Sequence, residues 1–381
     1  LGIRNWELGI RNWELGFIMS MYQNIDSPSL LVFPEMVQKN IAEMVRMAGD
    51  ASRLRPHIKT HKTAEGIRMM MEAGIHKFKC ATIAEAELLA IQDAPDVLLA
   101  HQPVGPKIQR LLELVKKYPK THFSCITDHI DAASSIASTF NAEKKTIDAY
   151  VDINVGMNRT GIAPDATALT LIQHINLLSG MHFSGLHVYD GQHRQADFDM
   201  REKACEQAFA PVYELISMMK EKGLSFPHII AGGSPTFSIH AKKTDRDCSP
   251  GTNIFWDHGY GQICSEQKFE PAVKILTRVI SLPTSTRICL DLGHKAVASE
   301  NEITKRVYFP DHPDLVPVGQ SEEHLVMEAG EGHGFKAGDM LLGIPYHVCP
   351  TIALHETLHA IENGSCTGEW RVLARKRTIG I

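Results

Sequence analysis

The chain has 381 residues, a formal net charge of −5, a pI near 6.5 and 44% hydrophobic residues. This length suits one large domain with a smaller partner domain. Mild acidity without a concentrated basic face argues against binding to nucleic acid or to an anionic membrane. No apolar run approaches the roughly 20 residues that span a bilayer. We therefore expect a soluble protein that acts on small molecules.

Two further features bear on location and on the chain start. The eight cysteines are scattered without a CxxC pair, which predicts reduced thiols and a cytoplasmic location. Residues 1–7, with the sequence LGIRNWE, recur identically at 8–14. We interpret this duplication as an artefact of cloning or of upstream translation. Residues 1–18 are then a non-native or disordered extension, with Met19 or Met21 as the native start.

The middle of the chain alternates between short β-rich runs and helical patterns, which is typical of parallel βα units. The β-rich runs lie at 54–58, 77–81, 97–100, 123–127, 147–153, 182–188, 228–231 and 252–256. Helix-like segments with apolar residues at three- and four-residue spacing lie between them, at 84–90, 107–117, 132–139, 165–175 and 202–221. The pattern predicts an α/β fold with a (β/α)8 TIM-type barrel over residues 34–266.

After about residue 267 the pattern changes to short β-like runs with few helix signals. These runs lie at 272–280, 287–292, 305–308, 324–328, 339–344, 351–361 and 369–376, and the sequence ENGS at 362–365 predicts a hairpin turn. Residues 267–381 therefore form a predicted antiparallel β domain. The apolar segment 29–33 could join its sheet, so that residues 19–33 belong to this domain.

Lys59 is the most informative single residue. It ends the first β-like run, inside the basic sequence RPHIKTHK at 55–62. Such a stretch can be a solvated basic turn, but active sites of this barrel lie where the strands end. A lysine among basic neighbours at that edge could act as a Schiff-base amine. His57 and His61 are candidate proton carriers, although each could instead bond the strand ends.

The seventh run ends in a candidate phosphate site. Gly232 and Gly233 offer backbone N–H groups with no Cβ in the way, and Ser234 adds a hydroxyl. A Gly-Gly-Ser turn alone is usually an ordinary loop, but phosphate sites of this barrel commonly follow strands seven and eight.

His347 and Cys349 stand two residues apart near the chain end. On an extended chain they share a face and could chelate zinc or a similar ion with positions left open for water or substrate. The alternative is a buried cysteine beside a surface histidine.

A second motif, His355-Glu356-Thr357-Leu358-His359, matches the H-E-x-x-H pattern of zinc peptidases. That chemistry requires a helix, whereas the surrounding residues favour a strand that enters a hairpin. We therefore expect strand histidines here and no peptidase site.

Five segments together resemble the D-threonine aldolase and D-serine dehydratase family, which has the alanine-racemase fold type (fold type III) of pyridoxal phosphate (PLP) enzymes. The segments are 55–62, 152–161, 185–189, 231–236 and 347–351, and they occur in order at family-like separations. The resemblance covers roughly residues 25–370. It implies an alanine-racemase-like barrel and a homodimer.

The resemblance also implies roles for these residues. Lys59 would bind PLP covalently, and the turn of Gly232, Gly233 and Ser234 would hold its phosphate. Arg159 and Tyr189 would line its ring, and His57 is kept as a catalytic candidate.

Near the chain end, the resemblance implies that His347 and Cys349 hold a divalent ion beside the cofactor, with waters completing the coordination shell. Aldolases of this group often carry an aspartate where Cys349 stands, and His-x-Cys is more similar to the dehydratase branch. A thiolate favours zinc over manganese or magnesium.

These features predict a PLP- and metal-dependent lyase of D-β-hydroxy amino acids. The first choice is D-threonine aldolase, which cleaves its substrate to glycine and an aldehyde. The alternative is a D-serine or D-3-hydroxyaspartate dehydratase acting by β-elimination. An amino acid racemase needs the same lysine but no metal. A non-catalytic PLP-binding protein has the barrel alone, which the C-terminal domain and the metal pair argue against.

Overall fold

The computed structural model describes residues 22–381, so the duplicated heptapeptide and the predicted extension over 1–18 lie outside the described residues. The chain divides into two compact units. The parallel-sheet unit comprises Lys39–Ile254, Tyr260–Phe269 and Leu373–Ile381. The antiparallel-sheet unit comprises residues 22–38, Phe255–Gly259 and Glu270–Val372.

The strands of the described chain, in order, are β1 (Ser29–Val32), β2 (Lys77–Cys80), β3 (Asp96–Leu99), β4 (His122–Thr127), β5 (Ile147–Ile153), β6 (Met181–Val188), β7 (His228–Ala231), β8 (Asp247–Cys248), β9 (Val273–Ser281), β10 (Arg287–Leu290), β11 (Val307–Tyr308), β12 (Val316–Gln320), β13 (Leu325–Glu328), β14 (Met340–Pro345), β15 (Thr357–Glu362) and β16 (Ser365–Arg371). The α-helices are α1 (Pro34–Ala48), α2 (Ala64–Glu72), α3 (Ile83–Ile91), α4 (Pro106–Lys117), α5 (Ile130–Ala142), α6 (Ala166–Ile175), α7 (Phe198–Glu221), α8 (Phe237–His240), α9 (His258–Ile263) and α10 (Val348–Leu354).

The parallel-sheet unit is built on a seven-stranded sheet in which β2 to β8 pair in chain order, each parallel to the next. Helices connect most of these strands, as parallel neighbours require. Several helices start at a side chain that caps their first N–H groups: Thr63 accepts from Gly66 N at 3.4 Å, and Thr82 accepts from Glu85 N at 3.1 Å.

The predicted eighth strand at 252–256 is wrong. In its place β8 has two residues, and Pro250 follows shortly after without an N–H to donate. Ile254, Phe255 and Trp256 are buried, which made them resemble a strand, but Trp256 has φ +48°, a value that a strand does not adopt.

The predicted first strand is also not continuous. Residues 54–58 contribute two isolated parallel bridges, Leu54 to Cys248 of β8 and His57 to Lys79 of β2. The described residues thus form a parallel half-barrel sheet, and they do not confirm the predicted eight-stranded barrel.

The antiparallel-sheet unit holds the remaining strands, in the order β12-β13-β10-β9-β1-β15-β16, with β14 pairing with both β9 and β11. Strand β1 lies between β9, to which it is antiparallel, and β15, to which it is parallel. Its residues Leu30, Leu31 and Val32 are fully buried, so the N-terminal segment lies at the centre of this sheet.

Two details of this unit differ from the sequence-based prediction, and one agrees with it. The run predicted at 351–361 is a helix, α10, followed by β15, and β12 was not predicted. The hairpin turn between β15 and β16 was predicted, and there Asn363 and Gly364 have φ +49° and +76°, as a type I′ turn requires.

Among the described residues, no helix is both long and apolar enough to cross a membrane.

Candidate active site

Lys59 lies in a turn at the edge of the parallel sheet. The residues before it are tied on both sides, because His57 bridges to Lys79 of β2 and Arg55 N donates to Cys248 O of β8 at 2.9 Å. The backbone of Lys59 is held locally, since its N–H donates to His57 Nδ1 at 3.2 Å. The Lys59 side chain is partly buried. The backbone that carries this side chain is therefore fixed near the strand ends, and the side chain is still reachable.

Burial controls the charge of the two neighbouring histidines. Burial and the charge of Lys59 lower the pKa of His57 well below its usual range. Burial and the charge of Lys62 lower the pKa of His61 to about 3. His61 Nδ1 also accepts the N–H of Thr63 at 3.3 Å. Nδ1 of each histidine accepts a backbone N–H two residues along the chain, as in the structural role that the sequence allowed for both residues.

Tyr189 follows β6, and its ring lies close to two basic side chains. The guanidinium carbon of Arg159 is 5.1 Å from the ring centroid, and Nζ of Lys79 is 5.7 Å from it. Arg159 is exposed on the loop after β5, which is shaped by Asn154, whose Oδ1 accepts the N–H of Asn158 at 3.1 Å. The structure thus brings the two predicted ring-lining residues together.

The Gly-Gly-Ser turn follows β7 and leaves no room for larger side chains. Gly232 has φ +80°, and a Cβ there would lie 2.6 Å from Cδ2 of His240. A Cβ on Gly233 would lie 2.8 Å from Cε2 of Tyr189. Glycine is therefore required at both positions, because neighbouring side chains lie too close to leave room for a Cβ.

Ser234 completes this turn with a hydroxyl whose proton is available. Its Oγ accepts the N–H groups of Gly251 at 3.1 Å and Thr252 at 2.9 Å. A hydroxyl has one proton and two lone pairs, so a serine that accepts twice can still donate once. Such a donor suits a phosphate oxygen.

A buried network supports the turn from below. Asp190 Oδ1 accepts the Thr236 hydroxyl at 2.6 Å, and its Oδ2 accepts from His240 Nε2 at 2.8 Å and from Cys205 Sγ at 3.0 Å. Thr236 Oγ1 in turn accepts the N–H of the second glycine of the turn at 3.3 Å. Burial by itself raises the pKa of Asp190, but interactions with these partners lower it to about 2.

Asp190, Cys205 and His240 also lie close enough, within 4.8 Å, to be a possible metal site. Arg246 Nη1 lies 3.3 Å from His240 Nδ1, and because a guanidinium only donates, Nδ1 accepts and Nε2 carries the proton. Burial and Asp190 raise the pKa of the Cys205 thiol. A metal would have to displace these protons in order to bind. Each of the three residues already has a hydrogen-bond partner within the cluster.

The predicted metal pair lies at a strand–helix junction and not on an extended chain. His347 precedes α10, and Cys349 lies in its first turn. His347 Nδ1 lies 2.5 Å from Glu300 Oε1, and Val348 N donates to Asp257 Oδ2 at 3.1 Å. Burial lowers the pKa of His347, but interactions with Cys349, Glu300 and Asp257 outweigh it and raise the pKa to about 9.

The H-E-x-x-H motif is not a peptidase site. His355 follows α10 as its C-cap, and its Nε2 lies 2.7 Å from Ala296 O, so the strand predicted at His355 is wrong. His359 lies in β15 opposite Glu369, as the strand prediction required. The two imidazoles do not share one helix.

Several residues of these sites were not found from the sequence. Glu300 and Asp257 are distant in the chain from the metal pair, and no motif marks them. Asp152 and His187 are buried polar residues within largely apolar strands, and this contrast was the available signal. Lys79 shares its short strand with Lys77, so no such contrast marks it.

The residues around Lys59 fit PLP. The tightly packed glycine turn and the Ser234 hydroxyl form a cradle suited to a phosphate. Tyr189 offers a ring face, and the neighbouring Arg159 and Lys79 suit an anionic cofactor.

Comparison with known proteins decides the family. Residues 34–257 match the family model described as alanine racemase, N-terminal domain, and residues 272–361 match the putative serine dehydratase domain. The first match covers more than half of the chain. The chain belongs to the alanine-racemase-like family of PLP enzymes. The second match places it with the D-threonine aldolase and D-serine dehydratase branch of this family.

This alanine-racemase-like chain is similar to curated proteins over most of its length. It is 28% identical to D-threonine aldolase from Arthrobacter sp., with 92% of this chain and 93% of that protein covered. It is 23% identical to D-threo-3-hydroxyaspartate dehydratase from Delftia sp. (strain HT23), with 92% and 97% covered. The crystal structure of D-threonine aldolase from Filomicrobium marinum matches with a TM-score of 0.86 and 26% identity, covering 93% of this chain and 96% of that one. Aldolases and dehydratases are lyases, and these matches assign this family member to that class.

Proposed function

We propose that the protein is a PLP- and divalent-metal-dependent lyase of D-β-hydroxy amino acids, and that its main activity is that of a D-threonine aldolase. The observation that carries the proposal is the pair of candidate metal donors His347 and Cys349, with Glu300 bonded to His347 Nδ1, in a chain that also has the Lys59 turn. A racemase requires the lysine but has no use for the metal donors. The similarity to two D-threonine aldolases supports the aldolase assignment.

In this proposal Lys59 binds PLP covalently through Nζ, and the Ser234 hydroxyl and the glycine turn bind its phosphate. Tyr189 packs against the ring, and Arg159 supplies a positive charge beside it. PLP bound here would act as the sink for the electrons left at Cα when a substrate bond breaks. His57 keeps the Lys59 turn in place by accepting its N–H.

His347 and Cys349 would hold the divalent ion. If Nε2 of His347 binds the ion, Nδ1–H donates to Glu300, which is the common carboxylate–histidine–metal arrangement. The thiolate of Cys349 favours zinc. The ion would supply Lewis-acid chemistry suited to a β-hydroxyl group.

The aldolase reaction breaks the Cα–Cβ bond of D-threonine. The β-hydroxyl loses its proton as the C–O bond becomes the carbonyl of acetaldehyde, and Cα gains a proton to give glycine. No oxidant or reductant is needed, so a base and an acid at the site suffice.

A dehydratase is the second candidate, and Cys349 is the observation that favours it. In that reaction Cα loses its proton and the β-hydroxyl leaves as water, so D-serine gives pyruvate and ammonia after hydrolysis. The similarity to the Delftia dehydratase supports keeping this alternative.

Incubation of the PLP- and zinc-loaded protein with D-threonine, D-serine and 3-hydroxy-D-aspartate separates the candidates. Glycine and acetaldehyde from D-threonine support the aldolase, whereas pyruvate and ammonia from D-serine support the dehydratase. Absence of cleavage of all three substrates would contradict both. A racemase would interconvert enantiomers and keep that activity after a chelator removes the metal.

A further inference from the structure

The interior of the parallel-sheet unit contains a buried polar chain of Lys79, His187 and Asp152. Their exposed fractions are 3%, 5% and 4%. The interior of such sheets is usually filled by branched apolar side chains, and burying charged groups is costly unless they are paired. These three residues therefore need an explanation beyond packing.

The direction of the hydrogen bonds follows from the chemistry of the groups. His187 Nδ1 lies 2.6 Å from Asp152 Oδ1, and Lys79 Nζ lies 3.4 Å from His187 Nε2. A carboxylate accepts and does not donate, so His187 Nδ1 carries the proton and Nε2 carries a lone pair. Burial lowers the pKa of His187, in agreement with a neutral ring. Lys79 therefore donates to His187, which donates to Asp152.

Lys79 also contacts the elements that form the cofactor site. Its backbone pairs with the segment that carries Lys59, because Lys79 N donates to Pro56 O and Ile58 N donates to Lys79 O, both at 2.9 Å. Its Nζ lies 5.7 Å from the centroid of the Tyr189 ring. Lys79 thus joins the Lys59 segment through its backbone, and His187 and the Tyr189 ring through its side chain.

We propose that Lys79 is a positioning residue of the PLP site, which fixes the His187 ring by a hydrogen bond and places its amine beneath the Tyr189 ring. This inference rests on the proposed binding of PLP. Lys79 acts through its neighbours and does not form the covalent bond. Its loss weakens cofactor binding and changes the environment of the bound cofactor.

Burial and the charge of Lys59 lower the pKa of Lys79 to about 7, so its amine is charged only in part at neutral pH. Three substitutions separate the hydrogen bond from this charge. Lys79→Met removes both, Lys79→Gln keeps an N–H donor without the charge, and Lys79→Arg keeps both. Lys77→Met is the matched control, because Lys77 lies on the same strand but pairs with Asp247, at 2.7 Å. Methionine is close in volume to lysine and removes a buried charge, so the first variant is expected to fold.

The measurements are the PLP dissociation constant, by equilibrium dialysis, and the visible absorbance band of the bound cofactor. We expect Lys79→Met to bind PLP about tenfold more weakly with a shifted band. Lys79→Gln should lie between Lys79→Met and the wild type, Lys79→Arg should restore most of the affinity, and Lys77→Met should match the wild type. If Lys79→Met does not fold, Lys79→Gln carries the comparison.

A readout without cofactor tests the same proposal. In the apoprotein labelled with ¹⁵N-histidine, Lys79→Met should move the Nε2 resonance of His187 towards that of a nitrogen without a donor, with His187→Gln used for assignment. Unchanged PLP affinity, band and His187 resonance in Lys79→Met would overturn the inference. Failure of the wild type to bind PLP would instead contradict the proposed function, while the His187 resonance would still test the role of Lys79.

Discussion

Glu300 shows how one carboxylate can set the properties of a metal ligand. It lies 2.5 Å from His347 Nδ1 although the two residues are 47 positions apart in the chain. A carboxylate at that nitrogen fixes the tautomer and the orientation of the imidazole, which leaves Nε2 for an ion. The sequence motif therefore contains the two predicted ligands but not the residue that orients one of them.

Glu300→Gln should lower zinc affinity by about tenfold or more, because the amide keeps the shape of the side chain but loses its charge. The measurement is zinc retained in competition with a graded series of chelators. Glu302→Gln is the control, since Glu302 is exposed and its partner is Lys305. Equal zinc retention by Glu300→Gln and the wild type would show that Glu300 does not support the site.

His122 gives the protein a pH-dependent contribution to stability. A hydrogen bond to Asp148 at 2.8 Å and an ion pair with Asp96 at 3.9 Å raise its pKa from 6.5 to about 10. A raised pKa means that the folded state binds this proton more tightly than the unfolded state. The stabilisation is thus fully present below about pH 6.5 and is lost as the pH rises through about 10. Because the side chain is 54% exposed, we expect about 1 kcal/mol or less.

The difference in free energy of unfolding between wild type and His122→Gln should therefore shrink from pH 6 to pH 10. Urea unfolding at several pH values measures it, with His324→Gln, an exposed histidine, as control. A difference that stays constant over this range would rule out the ion pairs of His122 as its source.

At the scale of elements, the turn after β7 depends on the network beneath it. Three donors converge on Asp190, and one of them, Thr236, also accepts from the turn. Because the Asp190 carboxylate accepts hydrogen bonds from all three groups, it fixes the backbone that would bind phosphate.

Asp190→Asn should weaken PLP binding by about tenfold, because the amide N–H₂ faces donors and leaves part of the network unsatisfied. Titration of the apoprotein with PLP measures the effect. Asp199→Asn, at an exposed position in the first turn of α7, provides the comparison. If both variants bind PLP as the wild type does, the turn does not need this support.

Element types were predictable where periodicity was long and regular. Segments α3 to α7 and strands β2 to β7 lie within a few residues of their predicted positions. The failures lie where burial and periodicity do not distinguish a loop from a strand, as at Ile254–Trp256, or where a short helix follows a strand directly, as at α10. At these places the backbone conformation determines the type of element, and the amino-acid composition does not reveal that conformation.

At the scale of the whole molecule, the sequence indicated two sheets of different type and an N-terminal strand belonging to the second, and the structure shows β1 at its centre. The sequence also indicated those site residues that lie within recognisable motifs. Lys79, Asp190 and Glu300 could not be inferred because their partners are distant in sequence, and only folding brings them together. The homodimer and the cytoplasmic location stay predictions.

The central claim is that Lys59 binds PLP covalently, and the visible absorbance band of the PLP-loaded protein tests it most directly. We predict that the wild type shows this band, that borohydride fixes the cofactor to Lys59, and that Lys59→Ala lacks the band while keeping its fold by circular dichroism. Lys62→Ala, three residues away, should retain the band. A Lys59→Ala protein with the wild-type band would contradict the account.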